Sequence, residues 1–337
     1  MSSASPVDAL IARAGWAGAH AVPVAGDASA RRFTRLLKTD GSSAILMDAS
    51  ADPGGSSRRF ADLSAWINAQ GLSAPRILAA DLPAELLIVE DFGDQLFARL
   101  LAEDPAREAE LYTATAEFLV TFQRLTPPPG LAPLDGPALA DLTRLVLDWY
   151  LPGMDAPATP EALAIPDLIA RTYDDLAGPA PLVTSLRDFH AENVLWLPER
   201  FGPARLGLID FQDAVTAHPA YDLVSFLQDA RRDLSPGIEA VIFDLFCREA
   251  GHDPDRFRAI YALIGAQRAL RILGVFARLI RQAGKRRYAA FFPRVWGHLA
   301  ANLAHPALAP LSRAIHSALP EPTPARIDRM IASCPTP

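Results

Sequence analysis

Ser185-Leu186-Arg187-Asp188-Phe189-His190-Ala191-Glu192-Asn193, with Gly207-Leu208-Ile209-Asp210-Phe211-Gln212-Asp213 after it, is the stretch on which the fold turns. An Asp is followed five positions later by an Asn, and seventeen positions after that by a second Asp closing an apolar run. Phosphoryl transfer from a nucleotide needs that set. One carboxylate orients the attacking hydroxyl and accepts its proton, while an Asn and a second carboxylate hold Mg²⁺ on the phosphates. Taken singly, each residue reads as a turn or strand-end residue. At this spacing they read as a catalytic loop carrying Asp188 and a metal-binding pair, Asn193 and Asp210. Strand-like runs at 182–184, 194–197 and 205–209 bracket the motif, so a pair of strands would hold both metal ligands on one rigid hairpin.

Upstream, the first 90 or so residues alternate short β-like runs with turn signals. Phe33 to Lys38 and Ala44 to Asp48 flank Thr39-Asp40-Gly41-Ser42, a hairpin signature with Asp-Gly at its tip. Ser56 and Ser57 are placed to cap a helix running to about Gln70. Arg76 to Ala80 and Leu86 to Glu90 read as two more strands, and Asp91-Phe92-Gly93-Asp94 breaks the pattern as a hinge. Beyond it helical patterns dominate, at 94–103, 105–125, 137–151, 161–176, 219–230, 236–250, 254–282, 286–302 and near the C-terminus. Pro-rich stretches at 126–137 and 152–160 read as surface connections. The expected fold is therefore α+β and bilobal, with a small β-rich N-lobe over 1–93 and a larger, mainly helical C-lobe over 94–337.

The bulk properties agree with a globular enzyme. The chain has 337 residues, half of them apolar, and a net charge of -7. No basic field meets a nucleic acid, and no run of about 18 uncharged apolar residues predicts a membrane helix. Cys247 and Cys334 form neither a disulfide framework nor a metal knuckle, which fits a reducing cytoplasm. No His-Glu-x-x-His or Cys-x-x-Cys pattern points to zinc. The expectation is a cytoplasmic monomer without nucleic-acid or membrane partners.

The motif resembles the catalytic loop and metal turn of the aminoglycoside phosphotransferase and choline kinase-like enzymes, relatives of protein kinases. Asp188 matches their catalytic Asp, Asn193 and Asp210 their metal ligands. Within that family, Gly26-Asp27-Ala28-Ser29-Ala30-Arg31-Arg32-Phe33, Ile45-Leu46-Met47-Asp48-Ala49, Glu90-Asp91-Phe92-Gly93-Asp94 and Asp210-Phe211-Gln212-Asp213-Ala214 look most like bacterial anomeric sugar kinases of cell-wall recycling. The resemblance implies a kinase-like fold, ATP and Mg²⁺ as cofactors, and an N-acetylmuramate or N-acetylglucosamine acceptor phosphorylated at the anomeric hydroxyl. Two departures stand out. Leu186 occupies the place of the motif's His, and Met47 lies nearest the strand position where kinases carry a phosphate-binding Lys; the chain has only Lys38 and Lys285.

The remaining site expectations follow from position. Gly26 and Ser29 lie where a phosphate-approaching loop belongs, and Arg32 is a candidate phosphate contact. Glu90 and Phe92 hold the hinge position, where backbone groups read adenine. Trp149 offers an aromatic face to a sugar ring, Glu192 and Asp213 flank the catalytic groups, and Arg271 interrupts an apolar helix. Asp222 is expected to cap a helix and pair with a buried Arg, Arg187 being the nearest in the motif. Two alternatives stay open from the residues: a different small-molecule hydroxyl (aminoglycoside, choline or homoserine), and a catalytically dead kinase-like binding module, which Leu186 and Met47 favour and the intact Asp188, Asn193 and Asp210 oppose.

Overall fold

The structure, a computed structural model, describes residues 5–24, 31–52, 54–178 and 181–334. In chain order, α1 (Pro6–Arg13) precedes β1 (His20–Val24), β2 (Arg32–Leu37) and β3 (Ser43–Asp48). Next come α2 (Ser56–Ala69), β4 (Ile77–Asp81), β5 (Leu86–Glu90), α3 (Phe97–Glu103) and α4 (Glu108–Phe122). After β6 (Pro133–Leu134), α5 (Gly136–Leu145), the short α6 (Leu151–Gly153) and α7 (Pro160–Ala177) lie four short strands, β7 (Val183–Ser185), β8 (Val194–Trp196), β9 (Leu206–Leu208) and β10 (Val215–Ala217). The chain then runs through α8 (Ala220–Leu227), α9 (Ile238–Ala250), α10 (Pro254–Ala283), α11 (Phe292–Leu303), α12 (Ala309–Ala318) and α13 (Pro324–Ala332).

These elements pack as two compact units. The first runs to Thr121 and takes in Ala191–Ala214; the second comprises Phe122–His190 and the chain from Val215 onward. In the element order the sheet gives way to helices between β5 and α3. By packing, however, α3, most of α4 and the β8–β9 hairpin go with the sheet.

The first unit is organised by an antiparallel sheet of order β1-β2-β3-β5-β4. The β2–β3 hairpin follows the Asp-Gly signal. Gly41 takes φ 88, and Asp40 accepts hydrogen bonds from Ser42 N at 2.9 Å and Ser42 Oγ at 2.6 Å. Period-2 alternation puts Leu36, Ala44, Leu46, Leu86 and Ile88 on one face, where Leu10 of α1 and Trp16, just after that helix, cover them. β1, at the edge of the sheet, carries no alternating burial; all five of its residues are exposed.

α2 follows its apolar spacing through the buried Phe60, Leu63 and Ile67, yet its serines do not cap it. Gly55, at φ 64, precedes the helix, and the Glu85 carboxylate serves instead, accepting from Ser57 N at 3.1 Å and Ser57 Oγ at 2.6 Å. A carboxylate from a distant turn satisfies the orphan amide and complements the helix dipole.

In the second unit α10 is the central element, packing against α5, α7, α8 and α11. It is long and apolar enough to cross a bilayer by composition, but 78% of its apolar window is buried within the protein. The helix expected over 137–151 is present but changes its winding midway. α5 ends at Leu145 and a π-helical segment, Val146–Tyr150, follows. Gly274 of α10 meets the Leu145 backbone there, where any Cβ would collide. The change of helical winding thus falls where the two helices approach closely at this glycine.

Candidate active site

The Asp188 loop begins where β7 ends. β7 pairs with β10, Thr184 opposite Thr216. The next turn is tight: Asp188 N donates to Leu186 O at 2.8 Å, and Arg187 takes φ 68, a left-handed conformation uncommon for a side-chain-bearing residue. Such a conformation persists where the surroundings over-determine it. Here they do so through Asp222. Its carboxylate accepts from Ser185 Oγ at 2.7 Å, Leu186 N at 2.7 Å and Arg187 N at 3.1 Å.

Asp222 therefore does not play the role expected of it. It makes no side-chain cap at the start of α8, and it holds the Arg187 backbone amide rather than the Arg187 guanidinium. This bracing also explains how Leu186, 4% exposed, sits in the loop without a His. Burial pushes the Asp222 carboxyl up to about 6, against the hydrogen bonds from Ser185, Leu186 and Arg187 and the nearby Arg268, which favour the ionised form.

Two arginines one helical step apart on α10 complete the loop's support. Arg268 donates to Arg187 O at 3.2 Å and Ser225 Oγ at 2.5 Å, with its guanidinium 4.7 Å from the Tyr221 ring centroid. Arg271 Nη1 lies 3.8 Å from Asp188 Oδ1. The Asp188 side chain is 41% exposed, so the candidate base is open to solvent. Desolvation works against its charge, but Arg271, Arg268, Arg187 and His190 outweigh it and hold the carboxyl below the ordinary carboxylate range. The group is thus ionised at neutral pH, as a proton acceptor must be.

The candidate metal ligands stand at one end of the β8–β9 hairpin. Val194 pairs with Leu208, and Ile209 N donates to Asn193 O at 3.1 Å, extending the ladder to the two positions that flank it. Gly207 allows this hairpin to form against Phe92, since a Cβ there would lie 2.8 Å from the Phe92 ring. Asp210 is the second strained position, at φ 59. Its turn is held by α2. Phe60 stacks on Phe211 at 4.7 Å, and Arg59 donates to Gln212 O at 3.3 Å. Asp210 Oδ1 accepts from Arg31 at 2.7 Å and from the Gln212 amide at 3.2 Å.

The other candidates separate by what they touch. Arg32 is 74% exposed and pairs with Asp48 at 2.7 Å on the sheet surface. Its neighbour Arg31, 8% exposed, is the one that reaches the turn. Alternation along β2 gave no means of choosing between them, because Arg31 precedes the strand. Glu90 pairs with Arg76 at 3.0 Å and Arg200 at 2.8 Å, and Arg200 covers the Phe92 ring at 4.9 Å. The Glu90 carboxylate and the Phe92 ring are thus both engaged by arginine side chains. Asp213 is exposed and 3.7 Å from Arg59. Glu192 is half-buried beside Asn193 in sequence, and Trp149 is half-buried in the π-helical segment. Arg271 is the candidate acceptor residue that the fold brings to Asp188. Gly26 and Ser29 lie outside the described residues.

The donor set suits Mg²⁺. Asn193 and Asp210 offer hard oxygens, and Mg²⁺ takes one or two carboxylates when phosphates and waters complete its octahedron. Among the described residues no cluster of three or more His, Cys, Asp or Glu forms an all-protein cage.

The chain is similar to several known proteins. A relative from Caulobacter vibrioides, named N-acetylmuramate/N-acetylglucosamine kinase, is 42% identical over 263 residues, covering 75% of this chain and 72% of that one. Among solved structures, a choline/ethanolamine kinase family protein from Mesorhizobium loti superposes with a TM-score of 0.60 at 15% identity, covering 92% of this chain and 97% of that one. The aminoglycoside phosphotransferase APH(3'')-Id from Streptomyces rimosus, solved with ADP and streptomycin, superposes with a TM-score of 0.53 at 19% identity, over 76% and 95% of the two chains. The fold is kinase-like, and the model of the phosphotransferase enzyme family matches residues 20–260. The chain belongs to that phosphotransferase family.

Proposed function

We propose that the chain is an ATP-dependent sugar kinase that transfers the γ-phosphoryl group to the anomeric hydroxyl of N-acetylmuramate, N-acetylglucosamine or both, a reaction of cell-wall recycling. The observation that carries this reading is the 42% identity, over three quarters of the chain, to a relative named for those two acceptors. Residues 1–93 would serve as the nucleotide lobe and 94–337 would supply the catalytic loop and acceptor site.

In this reading Asp188 orients the acceptor hydroxyl and takes its proton. Asn193 and Asp210 would hold Mg²⁺, which neutralises phosphate charge when bound. The lowered pKa of Asp188 suits an anomeric hydroxyl, which is more acidic than an ordinary sugar hydroxyl and asks less of its base. Arg271, next to Asp188, would fix the carboxylate's orientation. Most of the rate enhancement then comes from positioning and charge stabilisation rather than covalent chemistry.

The test is a product analysis. The purified chain is incubated with Mg²⁺–ATP and each amino sugar, and phosphorus–proton coupling is recorded. Coupling to the anomeric proton is expected. Coupling to the C6 protons overturns the regiochemistry. No sugar product, with phosphate appearing on an aminoglycoside, choline or homoserine, overturns the acceptor class.

A further inference from the structure

Phosphate charge must be met in the first unit without a lysine on β3. Met47, at that strand position, is 1% exposed and apolar. Lys38, the one lysine before residue 285, has Nζ 4.3 Å from the Trp16 ring centroid. The burden falls on arginines, and their partners sort them. Arg35 is tied to Asp91 at 2.7 Å and Asp94 at 2.9 Å beside the break that follows β5, and Arg32 lies exposed against Asp48. Arg31 stands apart: its guanidinium is buried and donates to Oδ1 of Asp210, the proposed metal ligand.

We propose that Arg31 is the phosphate-positioning cation of this enzyme, and that it exchanges partners with the metal. The inference rests on the assignment of Asp210 as a metal ligand. Mg²⁺ needs a carboxylate oxygen at about 2.1 Å with its water removed, and a guanidinium on the same oxygen competes for that place. Metal binding therefore displaces the Arg31 fork from this oxygen, beside the position where the metal would meet phosphate. A planar fork binds phosphate oxygens in pairs, which a lysine ammonium does as a single point. The exchange trades one charged pair for another, so the carboxylate is matched by a cation before and after the metal arrives. Arg59, on Gln212 O and 3.7 Å from Asp213, keeps the turn in place during the exchange.

The experiment compares wild type with Arg31→Met and Arg31→Lys. Binding of Mn²⁺ alone is followed by its paramagnetic resonance signal, and binding of ADP by calorimetry with and without Mg²⁺. Arg31→Met is expected to bind the free metal at least as tightly as wild type, because its competitor is gone. The same variant should bind Mg²⁺–ADP about tenfold or more weakly, the usual loss for a charge-assisted hydrogen bond. Arg31→Lys should restore part of that affinity. The kinetic counterpart is a rise in KM for ATP larger than the fall in kcat. A folded Arg31→Met that binds Mg²⁺–ADP within about twofold of wild type overturns the proposal, as does free-metal affinity that falls in parallel with nucleotide affinity. If Arg31→Met does not fold, Arg31→Gln, which keeps a donor to Asp210 and removes the charge, takes its place under the same criteria. A wild-type chain that binds Mg²⁺–ADP but phosphorylates no amino sugar overturns the acceptor assignment and leaves this one standing; a wild-type chain that binds no Mg²⁺–ADP overturns both.

Discussion

The Asp188 loop and the Asp210 turn both place a proposed catalytic carboxylate next to or on a strained residue, and the fold secures them by different means. In the loop the strain is on Arg187, and the support grips backbone: Asp222 takes two amides and a hydroxyl, and Arg268 takes a carbonyl. The Asp188 side chain is left partly open to solvent, with Arg271 at 3.8 Å. In the turn the strain is on Asp210 itself, and the support falls mainly on side chains: Arg31 and Gln212 on its carboxylate and Phe60 on Phe211, with Arg59 alone on a backbone carbonyl, that of Gln212. The difference suits the proposed tasks. A base has to meet a changing acceptor with a fixed backbone behind it. A metal ligand can be neutralised by a local cation until the metal takes over.

The strongest way to break the comparison is at the base. Asp188→Asn should keep the fold and nucleotide binding while lowering turnover by about 10²-fold or more, the usual size of a general-base contribution. Steady-state kinetics beside ADP calorimetry checks it, and near-wild-type turnover would remove Asp188 from the mechanism.

At the turn, Asp210→Ala should remove the Mg²⁺ dependence of ADP affinity, since the metal loses its carboxylate. Asn193→Ala deletes a neutral ligand and should weaken Mg²⁺–ADP by a smaller factor. Titrations with and without metal order the two. Equal effects, or a larger one at Asn193, would reverse the roles assigned along the hairpin.

Asp222 sharpens the comparison through pH. Its folded pKa of about 6 lies above the usual aspartate value of about 3.9, so the folded chain holds this proton more tightly than the unfolded chain. Its contribution therefore favours the fold at low pH and is lost as pH rises from about 4 through about 6. Activity should move the other way. Below about pH 6 the protonated carboxyl turns an O–H toward the donors of Ser185, Leu186 and Arg187, and the loop loosens. We expect an acid limb in kcat near pH 6 without a matching loss of thermal stability. Asp222→Asn should lower turnover by roughly tenfold and abolish that limb, because the amide cannot titrate. A limb that survives in Asp222→Asn would assign it to another group.

The smallest effect is expected at Arg32. Its exposed pair with Asp48 should contribute little, so Arg32→Ala should change nucleotide affinity by less than about twofold. Beside Arg31→Met this measures whether burial on the turn, rather than charge in the segment, decides which arginine acts.

Much of the fold is legible in local pattern. Strands β2, β3 and β5, the Asp-Gly hairpin, the amphipathic α2 and the long α7 and α10 come from periods of two and 3.6 residues and from turn chemistry, all short-range signals. So does the kinase-like motif, because Asp188, Asn193 and Asp210 sit on one continuous stretch joined by a hairpin. β1 escapes because Pro23 interrupts its five-residue run, which only an edge strand tolerates, and the π-helical segment escapes because Gly274, which packs against Leu145 at its start, lies more than a hundred residues away in sequence.

The sequence by itself therefore determined the family's chemistry and the identity of the three proposed reacting groups. Tertiary structure decided what supports them: Glu85 in place of Ser56 and Ser57 at the start of α2, Asp222 on backbone amides in place of an ion pair with Arg187, and Arg31 rather than Arg32 on Asp210. The physical reason is common to all three. A carboxylate or guanidinium finds its partner by burial and reach in three dimensions, and two equal charges side by side in a chain differ only in which one the fold takes out of water.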